Sequence, residues 1–321
     1  MYIEYERPAA GRKKEELKEF LALQGLDFEE TADFTVICRS RNGDIAATAS
    51  MERNILKCIA IAEDYRGENL TATLLTEMRG EAFHRGIENL FIYTKPENVP
   101  MFREAGFFEI ARAAGAAIME SSKDGARNYA KSLAEPAPEG PGGTAGRIGS
   151  IVMNANPYTI GHDYLVRKAL ECCSLLHIFV VSEDKSYFSF EERMRRVKLA
   201  NAKRSAVRVH ETKQYMISSL TFPTYFIKDK ASAEDTRCEL DLEIFCNIFA
   251  KEMNIDMRFV GTEPLDPVTA RYNELMKLRL PSCGVELLEI PRLEKDGEIV
   301  SATKVRERIK RGEEENFSFK I

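Results

Sequence analysis

A segment rich in proline, glycine and alanine, Ala134 to Gly146, interrupts this chain of 321 residues. The segment has no apolar periodicity, and its composition disfavours both helix and strand. Roughly 150 residues per domain is typical, so the length predicts about two domains. We therefore expect a linker at residues 131–146, a first domain at residues 1–130 and a second at residues 147–321.

The composition limits the classes of protein to which this chain could belong. Apolar and charged fractions are ordinary for a soluble globular protein. There is no apolar run of membrane-spanning length, and Met1 to Gly11 is too polar for a secretory signal. The net charge of -5 argues against general nucleic-acid binding. For these two reasons, neither a membrane nor a nucleic acid is an expected partner. Scattered cysteines without a C-x-x-C pair favour reduced thiols and a cytoplasmic location.

Periodicity in the first domain predicts an α+β fold. Apolar spacing favours helices at 13–23, at 69–84 and ending at Gly106, and strands at 34–39, 45–51, 55–62, 90–94 and 107–111. Asn42-Gly43 is a hairpin turn signal between the first two strands.

The second domain alternates short, continuously apolar strands with helices. Strands are expected at 148–153, 175–182, 207–210, 257–260 and 285–290, and helices at 163–173, 190–203 and 239–252. This pattern predicts a parallel sheet with helices on both faces and right-handed crossovers. Ligands of such sheets bind beyond the carboxyl ends of the strands, near the topological switch point.

A polar loop follows the first strand of the second domain. Asn156-Pro157 breaks the strand, Gly161 permits close backbone approach, and His162 falls in the first turn of the next helix. Helix N-termini attract phosphates, and the imidazole of His162 and the hydroxyl of Thr159 could donate to phosphate oxygens. The alternative is an ordinary strand-to-helix turn with a capping histidine.

A second segment near the C-terminus has comparable chemistry. Ser301 and Thr303 lie where a helix should begin, and Arg306 lies one turn further on. Hydroxyls, free N–H groups and a guanidinium would form another phosphate cradle. Alternatively, Ser301 caps an ordinary helix. Two such segments in one parallel α/β domain predict a phosphate-binding site more specifically than either alone.

Thr159-Ile-Gly-His162 and Ser301-Ala-Thr303-x-x-Arg306 resemble the signatures of the nucleotidyltransferase superfamily. That resemblance implies ATP binding and chemistry at the α-phosphate. Longer blocks at residues 151–162, 182–193, 217–226 and 260–273 resemble the citrate lyase ligase family. The resemblance covers nearly the whole chain, and it implies an α/β protein with an N-terminal α+β GNAT-like (acetyltransferase-like) domain and a C-terminal Rossmann-like parallel α/β nucleotidyltransferase domain.

The resemblance to this family also implies a reaction. ATP and acetate would give acetyl-adenylate and pyrophosphate, and the thiol of the CoA-like prosthetic group on the acyl-carrier subunit of citrate lyase would then take the acetyl group and release AMP. Thr159 and His162 would act at the α-phosphate, while Ser301, Thr303 and Arg306 would hold the β- and γ-phosphates. In-line positioning and charge neutralisation are what such chemistry needs.

Five more residues are candidates for nucleotide contact. Asn154 precedes the first signature, and Lys185 and Arg193 follow the second strand, where they could add positive charge; a solvated helix face is the alternative for Arg193. Gly261 and Glu263 end the fourth strand and could contact adenine or ribose, although Glu263 could equally cap its loop. Magnesium is expected with ATP, and the sequence shows no metal-ligand cluster.

Other features leave alternatives open. The stretch from Ser218 to Phe226 could line an acetate pocket or form plain core packing. His210 is a lone histidine at a strand end, a position that is more often structural than catalytic. No residue is identified as a general base for the thiol.

In the first domain, Tyr65 to Thr71 resembles the R-G-x-G-x-G/A turn with which acetyltransferases bind the CoA pyrophosphate. Asn69 and Thr71 stand where the family has small residues, and their side chains would crowd the phosphate. We therefore do not expect acetyl-CoA chemistry here. The domain could dock the carrier subunit or be purely structural.

Two rival interpretations share the phosphate cradles. One is an adenylyltransferase acting on a pantetheine-like phosphate, and the other is a non-catalytic nucleotide-binding protein. Product analysis distinguishes them from an acid–thiol ligase, because only the ligase releases free AMP and requires both acetate and a thiol.

Overall fold

A computed structural model describes residues 1–139, 146–183, 186–216, 222–223, 225–227, 229–264, 266–295 and 297–312. The chain forms two compact units. The first contains Met1–Gly125 together with Phe222–Thr236, and the second contains Ala126–Thr221 together with Arg237–Ile321. A stretch from the middle of the second half thus belongs to the first unit.

The first unit has a seven-stranded mixed sheet with the order β1-β2-β3-β4-β5-β7-β6. Its strands are β1 (Tyr2–Glu6), β2 (Phe34–Arg39), β3 (Ile45–Glu52), β4 (Ile55–Ile61), β5 (Phe91–Thr94), β6 (Phe108–Arg112) and β7 (Ala117–Glu120). All neighbours are antiparallel except β4 and β5, which are parallel. Its helices are α1 (Gly11–Leu23), α2 (Leu70–His84) and α3 (Val99–Glu104).

The core of the first unit lies between the sheet and α2. Leu70, Leu74, Leu75 and Met78 of α2 are buried there, as the helical spacing predicts. Phe83 continues that spacing but is 82% exposed, and Ala82 takes the inward position at the end of the helix. The predicted hairpin joins β2 and β3, and Gly43 adopts the positive φ of 94° that its turn requires.

The second unit has a five-stranded sheet with the order β10-β9-β8-β11-β12. The strands are β8 (Ile148–Met153), β9 (Leu175–Val180), β10 (Val207–Glu211), β11 (Met257–Gly261) and β12 (Glu286–Ile290), and every neighbouring pair is parallel. A short hairpin follows, with β13 (Glu294–Lys295) and β14 (Glu298–Ile299). The predicted fold class, an α+β domain followed by a parallel α/β domain, is therefore confirmed.

Six helices among the described residues lie wholly or mainly in the second unit. They are α4 (Gly125–Leu133), α5 (Ile160–Leu170), α6 (Phe190–Asn201), α7 (Lys230–Ile244, continued by a π-helical turn at Phe245–Ala250), α8 (Pro267–Arg279) and α9 (Ala302–Lys310). Val166 of α5 and Val197 of α6 pack with Ile151 and Ile178 of the sheet, so these helices cover one face. No helix among the described residues is long and apolar enough to cross a membrane.

Strand order fixes where a ligand would bind. From the central strand β8 the chain proceeds outward through β9 and β10, then returns to β11 and β12 on the other side. The topological switch point therefore lies between β8 and β11, and the loops that follow these strands flank it.

Candidate nucleotide-binding site

The loop after β8 ends in a reciprocal capping box at the start of α5. Thr159 is the N-cap; its Oγ1 accepts from the His162 backbone N–H at 3.4 Å, and its own N–H donates to His162 Nδ1 at 3.1 Å. Thr159 Oγ1 also lies 2.8 Å from Nδ1. Because Nδ1 accepts, the proton of the neutral ring lies on Nε2.

The surroundings of His162 keep its ring neutral. Burial, and to a lesser extent the nearby guanidinium of Arg292, lower its pKa to about 4. The ring also stacks on Tyr158, with centroids 5.5 Å apart. Among the described residues Nε2 has no hydrogen-bond partner. His162 therefore presents an uncharged N–H donor at the switch point.

The N-terminus of α9 lies against this loop. Ile160 packs with Val300 and Val305 in a small apolar cluster. Gly161 faces Val300 so closely that a Cβ at this position would lie 3.3 Å from Val300 Cγ1. Glycine therefore permits the close approach that the sequence predicts, with a protein side chain as the neighbour.

Arg306 joins the two segments directly. It donates through Nη1 to the carbonyl of Asn156, and through Nη2 to Thr303 Oγ1 at 2.9 Å. Burial lowers the pKa of its guanidinium. Ser301 is the N-cap of α9 and accepts from the Lys304 N–H at 3.2 Å. The structure thus brings Thr159, His162, Ser301, Thr303 and Arg306 to one edge of the sheet.

Arg193 is fully buried, so the solvated-face alternative is wrong. It donates to the carbonyls of Asn154 at 2.7 Å, Val181 at 2.9 Å and Phe188 at 3.3 Å, and also to that of Glu183. Its guanidinium therefore ties the loop after β8 to the loop after β9.

Side chains reinforce the same junction. Asn154, which is exposed, donates through Nδ2 to Glu183 Oε1 at 3.1 Å and to Ser186 Oγ at 3.2 Å. Glu183 itself is buried. Lys185, predicted to add charge here, lies outside the described residues.

The loop after β11 is held by an arginine. Arg292 donates through Nε to the Thr262 carbonyl at 2.8 Å and through Nη2 to Glu263. Glu263 also accepts from the Asp266 N–H at 3.1 Å, which is the loop-capping arrangement. At Gly261 a Cβ would meet only Arg292 Cγ, at 3.8 Å, so the protein's own packing leaves room there.

Two functional candidates were missed by sequence reasoning. Arg292 lies just beyond β12, and its position after the last strand of the sheet was a usable signal. Glu183 lies just beyond β9, but a buried carboxylate there has no sequence signature that separates it from a surface residue.

His210 and the aromatic residues of the 218–226 stretch have surroundings typical of structural residues. His210 Nε2 lies 2.9 Å from His177 Nδ1, and the rings stack 5.1 Å apart. Burial lowers the pKa of both to about 4. Phe222, Tyr225 and Phe226 are buried within the first unit, as core packing would have them; Ser218 lies outside the described residues.

Comparison with known proteins identifies the family. A sequence model of the citrate lyase ligase C-terminal domain matches residues 148–319. The citrate (pro-3S)-lyase ligase of Klebsiella pneumoniae is 38% identical over 92% of this chain and 86% of its own length. The chain belongs to the citrate lyase ligase family. The corresponding protein of Escherichia coli is 39% identical over 92% of this chain and 84% of its own length.

The predicted membership of the citrate lyase ligase family is thereby confirmed, and the chain is a ligase. The rival interpretations as an adenylyltransferase or a non-catalytic binding protein are not favoured. Solved structures resemble parts of the chain. A GNAT-family acetyltransferase from Staphylococcus aureus covers 37% of this chain and 98% of its own, with 16% identity and a TM-score of 0.32. Pantoate-beta-alanine ligase from Francisella tularensis covers 50% of this chain and 64% of its own, with 10% identity and a TM-score of 0.35.

Proposed function

We propose that this citrate lyase ligase is AMP-forming. A carboxylate oxygen of acetate attacks the α-phosphorus of ATP, the bond to the bridging oxygen breaks, and acetyl-adenylate and pyrophosphate result. The thiol of the CoA-like group on the citrate lyase carrier subunit then attacks the acetyl carbonyl, loses its proton and displaces AMP.

A single observation supports the proposal most strongly. Arg306 donates both to the Asn156 carbonyl and to Thr303, so two segments about 150 residues apart in the sequence meet at the switch point. Both are helix N-termini with polar caps, and such ends favour anions. Their meeting supports binding of one extended polyphosphate rather than two separate anions.

His162 suits the α-phosphate. Its Nε2–H is fixed by the Nδ1 contacts with Thr159, and the ring needs no rotation to donate. A preorganised donor of this kind stabilises the charge that develops on the phosphate oxygens as acetate attacks. The Thr159 hydroxyl donates to Nδ1 and accepts the His162 N–H, so Thr159 holds the imidazole in place.

The start of α9 suits the β- and γ-phosphates. Ser301 and Thr303 bring hydroxyls beside the first free N–H groups of this helix, and Arg306 supplies a charge that is always present. Neutralisation at these positions favours departure of pyrophosphate.

For the other candidates the contacts refine the proposed roles. The open space at Gly261 supports close approach of the adenosine. Arg193 directs its donors at backbone carbonyls, which supports a positioning role for the nucleotide loops. Asn154 and Glu263 are engaged with neighbouring loop residues and would contact the nucleotide from those positions.

We expect a magnesium ion to bind together with ATP, coordinated by phosphate oxygens of the nucleotide, as is usual for ATP. Across the described parts of the chain no group of three or more histidine, cysteine, aspartate or glutamate side chains is placed to hold a metal ion.

Acetate-dependent exchange of pyrophosphate into ATP tests the first step without the carrier. We expect exchange with the wild type and a loss of at least roughly 100-fold with His162→Ala, the usual effect of removing one charge-stabilising donor. His84→Ala, which changes an exposed histidine of the first unit, is the matched control and should leave exchange unchanged. Absence of exchange in the wild type with acetate, or an unaltered rate in His162→Ala, would contradict the proposal.

A further inference from the structure

An exposed aromatic ring stands among basic side chains beside the proposed nucleotide site. Tyr187, in the loop after β9, is 50% exposed and lies edge-on to Phe188, with ring centroids 5.0 Å apart. Lys310 of α9 approaches the Tyr187 ring to 5.7 Å, and the Arg196 guanidinium covers the Phe188 ring at 4.7 Å. Tyr187, Phe188, Arg196 and Lys310 are called the Tyr187 patch below.

The patch carries a local excess of positive charge on an acidic protein. Its two cationic side chains, Lys310 and Arg196, lie beside the two aromatic rings, in a chain whose net charge is -5. Arg196 shares the carboxylate of Glu192 with Arg195, so two guanidinium groups face one carboxylate. Among the described residues no carboxylate forms an ion pair with Lys310. These two cations favour the binding of an anionic partner here.

The patch is anchored to the nucleotide site through one residue. The Phe188 N–H donates to Asn156 Oδ1 at 3.1 Å, and Arg306 of α9 donates to the carbonyl of the same asparagine. Asn156 lies three residues before Thr159. A molecule lying on the patch is therefore adjacent to the loop that would hold the acyl-adenylate.

We propose that the Tyr187 patch binds the nucleotide portion of the carrier's CoA-like prosthetic arm, with the base stacked on Tyr187 and the phosphates facing Lys310 and Arg196. The inference rests on the proposed function, in which a phosphate-bearing thiol arm is the second substrate. Bases stack on exposed aromatic rings whatever their sequence, and lysine and arginine beside the ring supply the charge for the phosphates. Anchoring the base and phosphates here leaves the thiol end free to reach the acetyl carbonyl.

Two assays on the full-length enzyme separate this inference from the proposed function. Acetylation of the holo-carrier is measured against carrier concentration, and acetate-dependent ATP–pyrophosphate exchange is measured without carrier. For Tyr187→Ala and for Lys310→Glu we expect the carrier KM to rise roughly five- to tenfold, the effect of losing one base-stacking or phosphate contact. Exchange and the KM for ATP should stay at wild-type values.

Matched variants control for size and charge. Tyr2→Ala removes a ring of similar exposure from the first unit, and Lys203→Glu makes the same charge change just beyond the C-terminal end of α6. Neither should alter the carrier KM. As competitors against isotopically labelled holo-carrier, apo-carrier, which lacks the arm, should be weaker than unlabelled holo-carrier in the wild type, and the difference should narrow in Tyr187→Ala.

The outcomes are distinct. Failure of exchange in the wild type would count against the proposed function. Normal exchange with an unchanged carrier KM in both patch variants would overturn this inference alone. A raised KM for ATP would assign the patch to the first substrate instead, and equal inhibition by apo- and holo-carrier in the wild type would assign it to the protein surface of the carrier; either result overturns the inference.

Discussion

Arg193 shows how a residue of ambiguous sequence context gains a definite role. In the basic run from Arg193 to Arg204, nothing in the sequence distinguishes one arginine from the next. The structure places Arg193 alone at full burial, with its donors on backbone carbonyls of two loops. Its neighbour Arg195 is 56% exposed and pairs with Glu192. Burial of one member of a charge run depends on tertiary packing, which the sequence did not reveal.

This arrangement predicts that the shape of the Arg193 guanidinium matters more than its charge. Arg193→Lys keeps the charge but cannot reach all of these carbonyls, and leaving buried acceptors unpaired costs about 1–3 kcal/mol for each group. We expect a lower free energy of unfolding in urea and a loss of exchange activity. Arg195→Lys is the control; surface pairs contribute about 0–1 kcal/mol, so it should change neither quantity. Retention of wild-type stability and exchange by Arg193→Lys would show that charge alone suffices.

At the scale of elements, the two helix N-termini serve as caps and as candidate ligand contacts at once. Thr159 and Ser301 each accept a backbone N–H from three residues ahead, as ordinary caps do. The capping and phosphate-binding interpretations are therefore compatible. What the sequence could not supply was the contact between the helices, which depends on Gly161 facing Val300.

That contact predicts a size limit at Gly161. In Gly161→Ala the new Cβ would lie 3.3 Å from Val300 Cγ1 and 3.4 Å from Thr159 Oγ1. Overpacking of this kind costs roughly 1–3 kcal/mol. If about 1 kcal/mol of this cost weakens ATP binding between α5 and α9, the KM for ATP rises about fivefold. The second change Val300→Ala should recover much of the loss. Gly80→Ala, at a mid-helix glycine of α2 with open surroundings, should leave the KM unaltered. A normal KM for ATP in Gly161→Ala would show that the contact is not required.

The sequence predicts the elements that have a strong apolar pattern, and it does not reveal the elements that lack one. Strand β8 has the predicted bounds because it is a short, mostly apolar run that ends at a polar loop. Strand β1 alternates charged and apolar residues at the sheet edge and was missed, since only its pairing with β2 makes it a strand. Helix α8 has few buried residues and no clear apolar stripe, so periodicity did not reveal it.

At the scale of the whole molecule, the sequence order of the chain and the grouping of its residues differ. Residues 222–236 follow β10 in the sequence but pack in the first unit. The Asp27 N–H donates to the Tyr225 carbonyl at 3.0 Å, and the Phe222 ring meets Tyr93 edge-on at 5.6 Å. No local pattern marks such a return, because it depends on contacts between residues more than 100 positions apart.

This returning segment fills an opening in the first sheet. The parallel strands β4 and β5 pair only at Ile55–Phe91 and Leu56–Ile92, and they continue beyond these pairs without a shared ladder. Tyr225 is buried beside the unpaired portion of β5, where its hydroxyl donates to the Tyr93 carbonyl at 3.5 Å. The space between two diverging strands is therefore occupied by the protein's own aromatic side chains.

Acetyl-CoA should consequently be unable to replace ATP and acetate as the acetyl source. Asn69 has a left-handed backbone (φ 58°) and Thr71 places its hydroxyl 3.7 Å from Met101 Sδ, so side chains occupy the turn where a CoA pyrophosphate would approach backbone N–H groups. We expect holo-carrier incubated with the enzyme and acetyl-CoA alone to keep its unacetylated mass. Addition of ATP and acetate to the same mixture should then add one acetyl group, which confirms that the enzyme and the carrier are competent. The contrary outcome is that acetyl-CoA alone acetylates the carrier as fast as ATP and acetate do. That result would mean that the first unit retains transferase chemistry and that the filled opening does not exclude acetyl-CoA.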